Sequence, residues 1–506
     1  MDIISFLISP KGLGIISSLL VSIWVARMII KQYKPQTVIF LGGIILFILV
    51  ILINLLWGET PKVIGNNNLP SDHILNGVKT LGNPLLDIFA SIESLFSNRV
   101  AGLGMLIMSI MGFVKYMDSI GANKALVRIG IKPLQFIKSP YLVLILAFFL
   151  GQTMKIAITS ASGLGVLLMA TMYPILLRLG VSRAAATAVI ATTGCIDLGP
   201  ASGTGIAIAE AAGILTSDGK ADMATYFIKY QLPVAIPVLM TVAILHFIVQ
   251  YRFDKKEGYV FKANNVIDVT ETDEVKAPAF YALLPLIPLL LVLIFNEAVI
   301  LEINLLLSKY GLSIVFPFKT IGLVAAIFIS VFLTMIIEYI RSLNARKVFD
   351  SIQTVFDGMG TAFAGVITLI VAGEVFAAGL LTTGSVNTLL DFAKDAGSGV
   401  IPLTIFMQGL ISVASILMGS GDAAIFSFIS VGTTVAEHFN TDPIAVLMPM
   451  QICSSLARSL SPITAVVVAV SAIAGISPVE IIKRTMIPMI GGIIMLTIVN
   501  IILFLH

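Results

Sequence analysis

Apolar stretches of about 20 residues, the length that crosses a bilayer core, recur along most of this chain, with short polar segments between them. The predicted spans are 13–32, 36–57, 98–118, 183–214 and 226–250 in the first half. In the second half they are 278–297, 318–340, 359–381, 442–476 and 485–505. Two further apolar stretches, 141–178 and 401–437, are too long for one crossing and carry small polar residues at their centres. These centres read TSASG (159–163) and GSGDA (419–423). Both stretches are expected to be re-entrant hairpins that dip to mid-membrane and return. The N-terminal stretch has no basic leader and no small-residue cleavage site, so it is expected to be a retained first helix and not a signal peptide.

The longest polar segment, 251–277, separates residues 1–250 from 278–506, each with five predicted crossings and one hairpin. Five is odd, so the second half starts on the opposite face, which makes the pair an inverted repeat. Ile88, Phe89, Ile92, Leu95 and Phe96 have apolar counterparts at Val348, Phe349, Ile352, Val355 and Phe356, each 260 positions later. Their spacing makes one face of a helix, expected to lie in the membrane interface. The same shift carries the start of TSASG onto Gly419-Ser420-Gly421, and DLGPASGTGIAIAEAAGI (197–214) aligns with SLSPITAVVVAVSAIAGI (459–476) at a shift of 262. The fold class that follows is an all-α membrane protein of two inverted repeats, each with five spanning helices and a hairpin.

Composition agrees: 58% of residues are hydrophobic and 12% charged, too little charge to cover a soluble domain of 506 residues. The net charge of +3 is spread over short basic clusters between spans, which reads as membrane topology and not as a nucleic-acid surface. Arg27, Lys31 and Lys34, the group Lys124 to Lys138, Arg178 and Arg183, Arg252 to Lys256, Arg341 to Lys347, and Lys483 with Arg484 all fall on one side if the N-terminus is outside. Loops 58–83, 215–225 and 298–317 are poorer in basic residues. A bacterial inner-membrane location is expected, with both termini periplasmic, 251–277 cytoplasmic, hairpin 141–178 opening to the cytoplasm and hairpin 401–437 to the periplasm. Cys195 and Cys453 form no CxxC pair, the four histidines are scattered, and neither a phosphate-binding GxxxxGK[ST] nor an HExxH or Ser/His/Asp set occurs. No cofactor is expected, ATP-driven transport has no support, and an enzyme is disfavoured.

The candidate chemistry lies at the interruptions. Pro200 and Pro462 fall at equivalent points in spans 183–214 and 442–476, where proline breaks a helix. Two hairpin tips and two breaks would bring four half-helix ends together at mid-membrane, with N-termini suited to carboxylates and carbonyl ends suited to Na⁺. The expected substrate contacts are Thr159, Ser160, Ser162, Ser202, Ser420, Gly421, Arg458, Ser461 and Thr464. Taken singly, each Ser, Thr or Gly reads equally well as a close-packing residue. Arg458 is set apart because a guanidinium forks onto a carboxylate, and its alternative role is structural pairing with Asp197, Asp422 or Glu374. Those three acids are the candidate ion or proton sites. A sodium ion near Asp197 and Asp422 is the one metal candidate. A carboxylate at the Asp422 tip repels a dianion unless a proton or cation neutralises it, which suits coupling to H⁺ or Na⁺. Lys155 is expected to snorkel toward the cytoplasm.

The strings TSASGLGVLLMATMYPILLRLGVSR, GTAFAGVITLIVAGEVFAAGL, MGSGDAAIFSF and LARSLSPITAVVVAVS resemble the anaerobic C4-dicarboxylate carrier family, its DcuC/DcuD branch, over nearly the whole chain. That resemblance implies transport of fumarate, succinate, malate or aspartate by uptake, exchange or efflux. It implies, too, a dimer of scaffold domains past which transport domains carrying both hairpins move like elevators. Asp422, where the family pattern has Asn, and Asp197, where it has an apolar residue, depart from that pattern. They keep open a second reading, an amino-acid or other carboxylate carrier of the same fold. A channel or membrane enzyme is the third.

Overall fold

The structure, a computed structural model, describes residues 8–31, 33–58, 60–66, 68–69, 74–132, 134, 139–216, 219–259, 277–295, 321–395 and 399–505. The expected loop 298–317 and residues 260–276 of the polar segment lie outside the described residues. Among the described residues ten helices are long and apolar enough to cross a membrane. The one β feature among them is an isolated bridge between Leu215 and Ala221.

Helices α1 (Pro10–Ile30) and α2 (Pro35–Leu56) each start at a proline, whose missing N–H is unneeded in a first turn. Helix α3 runs over Pro84–Ser119 through a π turn at Val100–Gly104. The amphipathic stretch 88–96 is thus continuous with the spanning helix, the π turn at Gly102 and Gly104 carrying helical hydrogen bonding from one into the other. The same holds for 348–356, which opens the continuous α12 (Ala345–Thr382) with its own π turn at Phe363–Ile367.

Between them come α4 (Ala122–Gly130), the hairpin arms α5 (Pro140–Ala157) and α6 (Ala161–Arg178), the halves α7 (Arg183–Thr192) and α8 (Gly203–Ala211) of a broken helix, and α9 (Met223–Lys256). Helix α9 extends into the polar segment as far as Lys256, so that segment begins as helix. After it come α10 (Ile287–Ile294), α11 (Leu323–Ser342) and, following α12, the short α13 (Ser385–Asp395). The second hairpin is α14 (Val400–Met418) and α15 (Gly421–His438). The second broken helix is α16 (Pro443–Arg458) and α17 (Ala465–Ala474), and α18 (Pro478–Phe504) closes the chain. The first arms of the hairpins start at Pro140 and Val400 and their second arms are capped at Ser160 and Ser420, both pairs 260 apart.

Glycines allow the closest approaches, as expected where helices associate without a hydrophobic driving force. A Cβ on Gly112 would lie 2.7 Å from the Val355 carbonyl oxygen, and one on Gly358 would lie 2.7 Å from Gly112 itself, so α3 and α12 touch backbone to backbone. Gly43 of α2 is equally tight against Val375 of α12. A separate polar knot ties α5, α7, α9 and α18. Asp254 accepts from Tyr141 (3.3 Å), Ser182 (2.8 Å) and Arg484 (2.8 Å), and the fully buried Arg484 also reaches Glu257 at 2.6 Å.

Candidate substrate site

Apolar sequence makes each of these helices, and Ser, Gly and Pro clusters interrupt them. Helix α7 stops at Thr192 and α8 restarts at Gly203, with Pro200 inside the gap; α16 stops at Arg458 and α17 restarts at Ala465, with Pro462 inside. The hydroxyl of Ser160 accepts from the Gly163 amide at 3.1 Å, that of Ser202 from Gly205 at 2.9 Å, and that of Ser420 from Ala423 at 3.2 Å. Three of the four half-helices therefore begin at a serine N-cap, which satisfies one orphan amide and leaves others open. The fourth begins at Thr464, whose hydroxyl turns back to the Arg458 carbonyl at 2.6 Å. Gly419 has φ +63°, and its Cβ would meet Ile463 at 2.9 Å, so the hairpin tip lies directly on the α16–α17 break.

These ends enclose a cavity of about 320 Å³. Of the residues singled out from sequence, Thr159, Ser160, Ser162, Ser420, Arg458 and Thr464 line it, together with both acids Asp197 and Asp422. Three others support its wall. Ser202 bonds Asp197 at 2.7 Å, Gly421 lies against the Ser454 carbonyl, and Ser461 is fully buried with no partner for its hydroxyl among the described residues. Glu374 does not join them. It pairs with Arg99 at 2.9 Å, beside Glu210, in a second cavity.

The charges are arranged differently from the expectation. Lys155 does not snorkel. It is 1% exposed, it bonds Asp197 at 2.5 Å and the Thr159 carbonyl at 2.5 Å, and so it holds the hairpin tip to the broken helix. The second oxygen of Asp197 accepts from Ser202 (2.7 Å) and Thr204 (2.9 Å). With both oxygens engaged, Asp197 has little left to offer a sodium ion. Arg458 pairs with none of the three acids among the described residues. It donates to the Gly194 carbonyl at 2.7 Å, and its Nε is buried without a hydrogen-bond partner among the described residues. Asp422 makes no side-chain hydrogen bond or ion pair among the described residues. The cavity thus contains one committed ion pair, one guanidinium free of carboxylates and one free carboxylate.

Sequence reasoning missed the residues that stabilise the first break. Gln231 and Gln451 both donate to the Asp197 carbonyl, at 3.0 and 3.2 Å; Gln231 also accepts from the Gly199 amide, and Tyr226 bonds Gln451 at 2.6 Å. A glutamine in an otherwise apolar span is costly unless it has work there, and that signal was present at both positions.

A polar cavity with unspent charge, built from half-helix ends inside a multi-pass helical bundle, defines the class: this is a membrane transporter. The chain belongs to the family of C4-dicarboxylate anaerobic carriers, DcuC, whose model matches residues 13–505. It is 36% identical over 474 residues to the anaerobic C4-dicarboxylate transporter DcuC of Escherichia coli K12, spanning 94% of this chain and 93% of that one. It is 34% identical over 483 residues to a probable DcuC of Vibrio cholerae, spanning 95% and 96%. These relatives are transporters and not enzymes. In fold it resembles Neisseria gonorrhoeae MtrF, described within a class of antimetabolite efflux pumps, at a TM-score of 0.56 and 14% identity over 92% of this chain and 95% of that one. It also resembles the Alcanivorax borkumensis YdaH transporter, at a TM-score of 0.53 and 14% identity over 91% and 97%.

Proposed function

We propose that this protein is a secondary carrier of C4-dicarboxylates, such as fumarate, succinate, malate and aspartate, in a bacterial inner membrane. The observation that carries this reading is Arg458: a guanidinium in no ion pair with a carboxylate among the described residues, facing a cavity built from four half-helix ends. An unpaired charge at membrane depth costs about 3 kcal/mol or more, and a substrate carboxylate relieves that cost. The serine-capped N-termini at Ser160 and Ser420 and the unpartnered hydroxyl of Thr159 supply further donors for a second carboxylate.

Transport is coupled to a cation at Asp422. A dianion beside Arg458 and the neutral Lys155–Asp197 pair leaves Asp422 uncompensated, so a proton or Na⁺ must accompany it, or the substrate must bring its own positive group. That last case is the second reading, an amino-acid or other carboxylate carrier, and the free Asp422 is what favours it. Hairpins and broken helices form one mobile body, including residues of both inverted repeats, 1–250 and 278–506. The Asp254 knot joins α9 and α18 to it. Helices α1–α3 and α11–α12 form the static scaffold, which pairs with that of a second subunit. Both termini are periplasmic and 251–277 is cytoplasmic.

Uptake into proteoliposomes tests this. Radiolabelled succinate is to be taken up saturably, displaced by fumarate and malate, and driven by an imposed Na⁺ or pH gradient. Displacement by amino acids alone would favour the second reading.

A further inference from the structure

A second cavity of about 310 Å³ lies beside the first, and Phe426 lines both. The same four helices wall the two cavities in succession. On α3 the wall passes from Ile107 to Leu103, and on α12 from Val366 to Ile370 and Glu374. On α8 it passes from Thr204 to Glu210, and on α15 from Asp422 through Phe426 to Thr433. At 1.5 Å per residue these steps carry the wall roughly 6–17 Å further along the rods. The two are therefore successive chambers of one course between the same walls, parted by a buried phenyl ring. In the second chamber Arg99 of α3 reaches Glu374 of α12 at 2.9 Å and Glu210 of α8 at 3.3 Å. The pair with Glu374 stays between α3 and α12, which touch backbone to backbone, whereas the pair with Glu210 crosses to the broken helix.

We propose that the second chamber is the closed entrance to the substrate cavity, with Phe426 as its partition and the Arg99–Glu210 ion pair as the latch that holds it shut. This goes beyond the substrate assignment and rests only on the division into a static α3–α12 unit and a mobile hairpin unit. Glu210 is the element to release, because its side chain is 37% exposed while that of Glu374 is 6% exposed and structural. A pair of that exposure shifts a two-state population by about two- to fivefold.

The test is chemical access to the inner cavity, which needs no transport. Ala201→Cys places a reporter on the inner wall, and Cys195 and Cys453 are fully buried, so the parent protein supplies the background. A membrane-impermeant maleimide is applied to right-side-out and to inverted vesicles. Glu210→Gln is expected to raise the rate of reporter labelling about two- to fivefold from one side only. Phe426→Ala, which leaves the ion pair intact, is expected to raise it from that same side. Unchanged rates in both variants, equal rises from both sides, or opposite sides for the two variants would overturn the proposal. Because succinate plays no part, failure here leaves the substrate reading standing, and loss of succinate uptake leaves the latch untouched.

Discussion

Lys155 and Asp197 lie 42 positions apart in sequence and 2.5 Å apart in the fold, both buried. Removing one partner of such a pair strands the other, at a cost of about 3–5 kcal/mol. Lys155→Met alone is therefore expected to lower the melting temperature in detergent sharply, and Lys155→Met with Asp197→Leu to recover most of the loss. Additive losses in that cycle would remove the pair as the tie between hairpin and break. Asp422 has the opposite character, a carboxylate with no hydrogen-bond or ion-pair partner among the described residues. Asp422→Asn is expected to keep the protein folded while abolishing or altering the cation dependence of uptake; an unchanged dependence would take the coupling role away from it. At this scale the sequence was half legible. Arg458, Asp197 and Asp422 stand out because charge in an apolar run is expensive. Pairing is a tertiary property, so Asp197 was as good a partner for Arg458 as for Lys155 until the chain was folded. Glu374, a candidate ion site in the sequence, lies apart from these in the second cavity, where its partner Arg99 comes from 275 positions away, a pairing of the same tertiary kind.

At the scale of elements the interruptions were the most readable part of the chain. TSASG and GSGDA mark the turns at Ser160 and Ser420, and Pro200 and Pro462 fall inside gaps between helix halves, because proline, glycine and serine act on the local backbone whatever surrounds it. Continuity was less readable. The amphipathic starts of α3 and α12 look like separate helices, yet each flows through a π turn into a spanning rod. Nothing in an apolar pattern distinguishes a π turn from a loop. The glycine contact between these rods yields a further expectation. Gly358→Leu would drive a side chain into the Met111 carbonyl and Gly112 of α3, where a Cβ already stands 2.7 Å from both. Overpacking of that kind costs about 1–3 kcal/mol or more. A lowered melting temperature is expected, whereas Gly360→Leu, at a position with nothing within 4 Å, should leave it unchanged.

At the scale of the whole molecule, four interrupted helix ends meet around a guanidinium that makes no ion pair with a carboxylate among the described residues. An anion-binding site deep in a bilayer needs this arrangement, since donors fixed in advance cost nothing to organise when the substrate arrives. Uptake of radiolabelled succinate by proteoliposomes of the native protein and of Arg458→Ala, both shown monodisperse in detergent, tests it most directly. Native protein should give saturable uptake that fumarate and malate displace, and the variant should give none above protein-free liposomes. Equal uptake by the two proteins, or native uptake that no dicarboxylate displaces, would contradict the assignment.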